Sequence, residues 1–276
     1  MRSTSRTKIA AARRAALTGE KHQQALTGLR AGGSLIPDAE SSQQRQLEAA
    51  FLARIFSEDD DELHHLFAHI TVRPLPDTLM LTVAPPAIGP LLFASLPFDP
   101  GRNQDLHGVS GLRVHSVGYR RWRLTNELLP GASIHLHGPM RIPAGPYPGF
   151  LHEPDSVRPL WTLPHLTARE ADLAKNFPHV LFDDPAMATL LSRLLRRPKF
   201  WTIPPTSGYM NAWIDPGQVH VEWSSATDLI DMANLLAGSG LGDFDGQVRH
   251  NFRAVIDVTA PNATPAELHL RRNFAP

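Results

Sequence analysis

His135-Leu136-His137 is the pairing in this chain best suited to hold a metal ion. On a strand, residues i and i+2 project to one face, so both imidazoles can meet a single ion. His152 lies beyond a Pro/Gly-rich loop and supplies a third candidate ligand, with Glu153 beside it. A divalent transition metal held there would lower the pKa of its bound water and make a hydrolytic centre. The plainer reading is a polar strand face, since 14 His residues in one chain generate such pairs by chance. His65 and His69 stand at i, i+4, another chelating separation. They read as the polar edge of an amphipathic helix whose other face is Leu63, Leu66, Phe67 and Ile70.

The order His-x-His, Pro/Gly-rich loop, His resembles the cupin family. It departs from that pattern because no Glu follows at the required short interval. With no Cys in the chain, thiolate catalysis, disulfides and Cys-ligated zinc are excluded. A phosphate loop of the Gly-x-x-x-x-Gly-Lys-Ser/Thr type, a Gly-x-Ser-x-Gly elbow and a His-Glu-x-x-His helix are absent from the sequence. The string Gly238, Gly240, Gly242 follows a predicted helix, and a dinucleotide loop would need it to follow a strand.

A second chemistry is the binding of anions. The first 30 residues carry Arg2, Arg6, Lys8, Arg13, Arg14, Lys21 and Arg30 against one acid, Glu20, in a chain with 27 basic and 27 acidic residues overall. A local excess of cations on a helix-prone segment points to nucleic acid. Tyr119-Arg120-Arg121-Trp122-Arg123 forms a second cluster. Read as one strand, it sets Tyr119, Arg121 and Arg123 on one face, a phosphate-gripping row with a base-stacking ring. Arg193, Arg196, Arg197 and Lys199 form a third cluster at a helix end, where the dipole alone accounts for cations.

The elements that must carry these residues read as α+β. Residues 1–33 are expected to form a basic helical hairpin, stopped between its arms by Thr18-Gly19. Residues 34–138 read as an α+β subdomain: a helix from Asp38 to about Ser57, a short helix opened by the acids Glu58 to Glu62, then strands at Thr78–Val83, Leu112–Leu124 and Ser133–His137. Seven prolines between Pro139 and Pro164 mark residues 139–165 as an extended strap. Residues 166–276 read as a second α+β subdomain of short helices and antiparallel hairpins. Its signals are a capping box at Thr167–Glu170, Asp184-Pro185 opening a helix, and the turn Asp215-Pro216-Gly217-Gln218 between two strands. A further helix is expected after Ser224 or Ser225, and a last strand at Phe252–Val258 before an Ala/Pro/Asn-rich tail.

Arg outnumbers Lys 23 to 4, the usage of a high-GC bacterial genome. The basic start is followed by no apolar signal core and no run approaches 18 apolar residues, so a cytoplasmic protein without membrane contact is expected. The leading expectation is a cofactor-free binding or assembly protein that touches nucleic acid through its basic arm. The alternatives are a small metalloenzyme built on His135, His137 and His152, and a protein–protein interaction module.

Overall fold

The computed structural model describes residues 2–31, 33–58, 63–101, 105–139, 142, 158–176, 183–203, 209–224, 226–249 and 253–273. The class is α+β. Two helices, α1 (Arg2–Thr18) and α2 (His22–Arg30), form the expected hairpin. Gly19, at φ 76°, makes the reversal that a residue with a side chain resists. The hairpin is joined to the rest of the chain by contact as well as by sequence. Leu17 is fully buried, Arg13 donates to the Leu235 carbonyl, and a Cβ on Gly19 would lie 2.6 Å from Thr71 Cγ2.

The remainder is one unit used twice. In each copy a helix leads into a β-hairpin, a second helix crosses over, and a three-stranded meander follows. The last strand of the meander pairs in parallel with the second strand of the hairpin. The first copy runs α3 (Ser42–Glu58), the short α4 (Leu63–Ala68), β1 (Ile70–Pro74), β2 (Leu79–Val83), α5 (Pro85–Ser95), then β4 (Leu112–Gly118), β5 (Arg121–Asn126) and β6 (Ser133–His137). The second runs α7 (Pro185–Leu195), a 3₁₀ turn (Pro198–Thr202), β8 (Met210–Asp215), β9 (Gln218–Trp223), α8 (Leu229–Ala237), then β10 (Val248–Arg249), β11 (Arg253–Val258) and β12 (Ala266–Arg272). The sheet orders are β1-β2-β6-β5-β4 and β8-β9-β12-β11-β10, with β2/β6 and β9/β12 the parallel pairs. Between the copies come β7 (Arg158–Pro159), which pairs back with β3 (Phe98–Asp99) in the α5–β4 connection of the first copy, and α6 (Ala168–Asn176).

The copies meet through α3 and α7. At the centre of that joint Glu48 and Arg196 are both fully buried and form a bidentate ion pair, 2.6 Å and 2.8 Å. Ser192 Oγ and Gln44 Nε2 also donate to Glu48, and Gln44 accepts from the backbone of Ser133 on β6. One apolar core runs through both copies, from Phe51, Phe67 and Leu136 to Trp201, Trp223 and Leu268. Among the described residues no helix is long and apolar enough to cross a membrane.

Several local expectations change. The strand expected over Leu112–Leu124 is two strands, because Gly118, Tyr119 and Arg120 turn the chain, with Arg120 at φ 56°. Ile70 starts β1, although its apolar spacing fits a helix, and α5 and β12 are elements that the sequence pattern does not announce. The helix expected after Ser224 or Ser225 begins at Leu229 and is capped by Asp228, whose Oδ1 accepts from the Ile230 and Asp231 amides. Most of the Pro-rich strap and the acids Asp59 to Glu62 lie outside the described residues.

Candidate nucleic-acid interface

Strand alternation decides what each sheet offers outside the core. In the first sheet Val72, Leu79, Leu81, Leu124, Ile134 and Leu136 point inward and are buried. The opposite face is set by register. Arg73 pairs with Met80, Met80 with His135, His135 with Arg123, and Arg123 with His115, making one row across five strands. A second row pairs Thr71, Thr82, His137 and Arg121. Arg73, Arg121, Arg123, His115 and His137 are exposed and His135 is half-buried.

The strands bring no carboxylate to this face. Arg113, also on it, is taken by α6: Glu170 receives Nη1 and Nη2 at 2.9 and 3.0 Å, and both side chains are buried. Burial pushes the Glu170 carboxyl up. Hydrogen bonds from Arg113 and from the Thr167 and Gly111 amides outweigh it and hold it below its ordinary value. Arg73, Arg121 and Arg123 have no carboxylate partner among the described residues. His135 is held below the ordinary imidazole value by its burial and by the neighbouring Arg123, against a smaller opposing pull from Asp77.

The β4–β5 hairpin projects from one side of this face. From His115 to Arg121 every residue is exposed, with Val117 at 51% and Tyr119 at 81%. Tyr119 belongs to the turn and not to the strand face foreseen for it. The Arg120 guanidinium lies 4.8 Å over its ring. Arg121 and Arg123 do share the outer face of β5, as their spacing requires, while Leu124 turns into the core.

On the opposite side of the face, Gly19 packs against Thr71, so the junction of the basic hairpin abuts β1. The arm's cations are not equivalent. Arg6, Lys8, Lys21 and Arg30 are exposed or half-exposed. Arg13 is half-buried, and Arg14 is 4% exposed, bound through Nε at 2.7 Å to Glu20, the one acid of the segment. Arg14 therefore has a structural partner and offers nothing to a ligand. The Arg2 side chain is outside the described residues. The third basic cluster is likewise engaged by the protein: the buried Arg196 and Arg197 meet Glu48 and Ser239, and the half-buried Arg193 and Lys199 bind Asp38 and the Phe67 and Ala68 carbonyls. Burial above all drives Arg197 down to about 9, a sign of a cation held by dipoles in the interior.

His135 and His137 do face one side, but their cross-strand neighbours on β5 are Arg123 and Arg121. Cations at that range oppose a divalent ion. Among the described residues no group of three His, Asp or Glu is placed to hold a metal, and His152 and Glu153 lie outside them.

The second sheet is an internal control. Its outer face carries Arg249, Arg253 and Arg271 together with Asp215, Glu222, Asp257 and Glu267. Carboxylates there meet the basic groups within the face: Glu222 pairs with Arg271 at 3.0 Å, and Glu267 and Asp215 lie 2.6 Å and 3.2 Å from the His269 and His220 rings. Trp213 stacks flat on His220. The same strand arrangement is thus neutralised from within in one copy and left cationic in the other. Arg73 and His115, which complete the cationic face, carry no signal in the sequence. Arg73 stands alone in an apolar run, and His115 joins the others only through the fold of β4 on β5. No family model, curated protein or solved structure matches the chain.

Proposed function

We propose that the chain is a non-enzymatic binding protein that docks on nucleic acid through the outer face of its first sheet. The junction of the amino-terminal hairpin abuts the β1 edge of that face at Gly19. The reading rests on one observation: Arg73, Arg121 and Arg123 share a face to which the strands bring no carboxylate, while on the duplicate face of the second sheet four carboxylates stand beside three arginines. Guanidinium groups without a carboxylate partner on a flat strand surface suit phosphate, which arginine binds in a bidentate fashion. The arm alone supports the reading less well, because Arg13 and Arg14 are engaged with the protein. A cytoplasmic location agrees with such a role.

The test is fluorescence anisotropy with a labelled oligonucleotide over a salt series. If Arg73, Arg121 and Arg123 with Arg120 of the adjoining turn each neutralise a phosphate, log K should fall against log salt with a slope of about −3 for a single strand and about −3.6 for a duplex. Absence of binding to either form at low salt and micromolar protein would reject the proposal.

A further inference from the structure

From the same face we infer the class of nucleic acid: a single strand laid across the first sheet, with a base stacked on Tyr119. This rests on the proposed nucleic-acid role and narrows it. The row Arg73, Met80, His135, Arg123, His115 crosses all five strands. At about 4.8 Å per strand it spans about 19 Å. A B-form major groove is about 12 Å wide, enough for a helix or a two-stranded ribbon and too narrow for this sheet. A duplex resting on the face would touch it along one backbone ridge and leave most of the row unused.

The kinds of side chain also matter. Guanidinium planes at Arg73, Arg120, Arg121 and Arg123 alternate with aromatic rings at His115, Tyr119, His135 and His137. Rings gain from contact with nucleobase faces, and in a duplex those faces are stacked on one another. Tyr119 is freely accessible, at 81% exposure. The Arg120 guanidinium above it leaves the opposite ring face for a base. A solvent-exposed tyrosine at the tip of a projecting hairpin contributes nothing to the core, so a partner is what it can serve. Sequence preference should be weak, because stacking and phosphate contact read no base edges.

The test compares a labelled oligothymidylate with a labelled hairpin duplex of matched charge, on wild type, Tyr119→Leu and Tyr119→Phe. Circular-dichroism melts serve as the folding control. The expected result is at least about tenfold tighter binding of the single strand. Tyr119→Leu should lose about tenfold for that strand alone, and Tyr119→Phe should keep wild-type affinity. Equal or tighter duplex binding would overturn the inference in favour of the hairpin entering a groove as a ribbon, with the nucleic-acid role intact. Single-strand preference unaffected by Tyr119→Leu would overturn the stacking assignment. Binding of neither probe would remove both the inference and the role it rests on.

Discussion

Replacing Glu48 with Ala should be among the most damaging single changes in the molecule. Glu48 accepts from Arg196 Nη2 at 2.6 Å and Nε at 2.8 Å, from Ser192 Oγ at 2.7 Å and from Gln44 Nε2 at 2.8 Å. It does so with no solvent exposure on either partner of the ion pair. Truncation leaves the Arg196 cation desolvated beside an unpartnered Ser192 hydroxyl, while Gln44 Nε2 keeps its bond to the Ser133 carbonyl. Breaking a buried pair in this way costs about 3 to 5 kcal/mol. Arg196 Nη1 keeps its bonds to the Pro37 and Leu75 carbonyls, which sets the expectation near the lower end. In a chain of this size about 3 kcal/mol lowers Tm by roughly 6 to 12 °C. Urea unfolding followed by circular dichroism should show the midpoint falling with little change in slope. The double variant Glu48→Leu/Arg196→Met should recover much of the stability, since an apolar pair of similar volume removes the stranded charge. A cost below about 1 kcal/mol in Glu48→Ala would mean that water reaches the joint. The α3–α7 packing would then be wrong.

Gly19 and Gly217 share φ 76° but differ in surroundings: a Cβ at Gly217 meets nothing within 4 Å, and one at Gly19 meets Thr71 and Lys199 below 3 Å. Gly217→Ala should therefore cost about 1 kcal/mol of backbone strain, and Gly19→Ala clearly more; equal costs in thermal melts would show that the arm does not seat on β1. Glu170, held below its ordinary carboxyl value of 4.5 in the fold, contributes stability that is fully present above that value and disappears as pH falls through the folded one. Glu170→Gln should accordingly flatten the acid limb of the stability–pH curve below the ordinary carboxyl value of 4.5, and an unchanged limb would deny the Arg113 clip. His135 sits below the ordinary imidazole value, so the cation it adds to the sheet face appears only below about pH 6.5. Oligonucleotide affinity should rise through that range and rise less in His135→Gln; identical pH profiles would place His135 outside the interface.

Local chemistry is legible in the sequence wherever one short segment suffices to specify it. Asp184 caps α7 through its Oδ1, Thr167 and Glu170 close a capping box, and Gly217 makes the β8–β9 turn. His135 and His137 share a face because β6 is a strand. The duplication is not legible, since it resides in strand order and a parallel pairing across distant segments, and the residues on the two outer faces have different chemistry. Edge strand β1 is hidden because Ile70 completes a helical apolar spacing from Leu63, and the Gly118–Arg120 turn because its flanks alternate like one continuous strand. Charge is the least readable property. Arg14, Arg196 and Arg197 look like surface cations in sequence, and only tertiary partners from Glu20, Glu48 and Ser239 show them to be interior.

If the first sheet's outer face is the docking surface, its arginines and not those of the second sheet set the salt dependence of binding. The salt dependence of oligonucleotide binding should be measured for wild type, for Arg73→Ala/Arg121→Ala/Arg123→Ala, and for the second-sheet control Arg249→Ala/Arg253→Ala/Arg271→Ala. Every arginine that no longer neutralises a phosphate of a single strand should flatten the slope by about 0.7. The first variant should therefore flatten it by about 2 with a nearly unchanged melting curve, while the control keeps the wild-type slope. Equal flattening in both variants, or none in the first, would contradict the account.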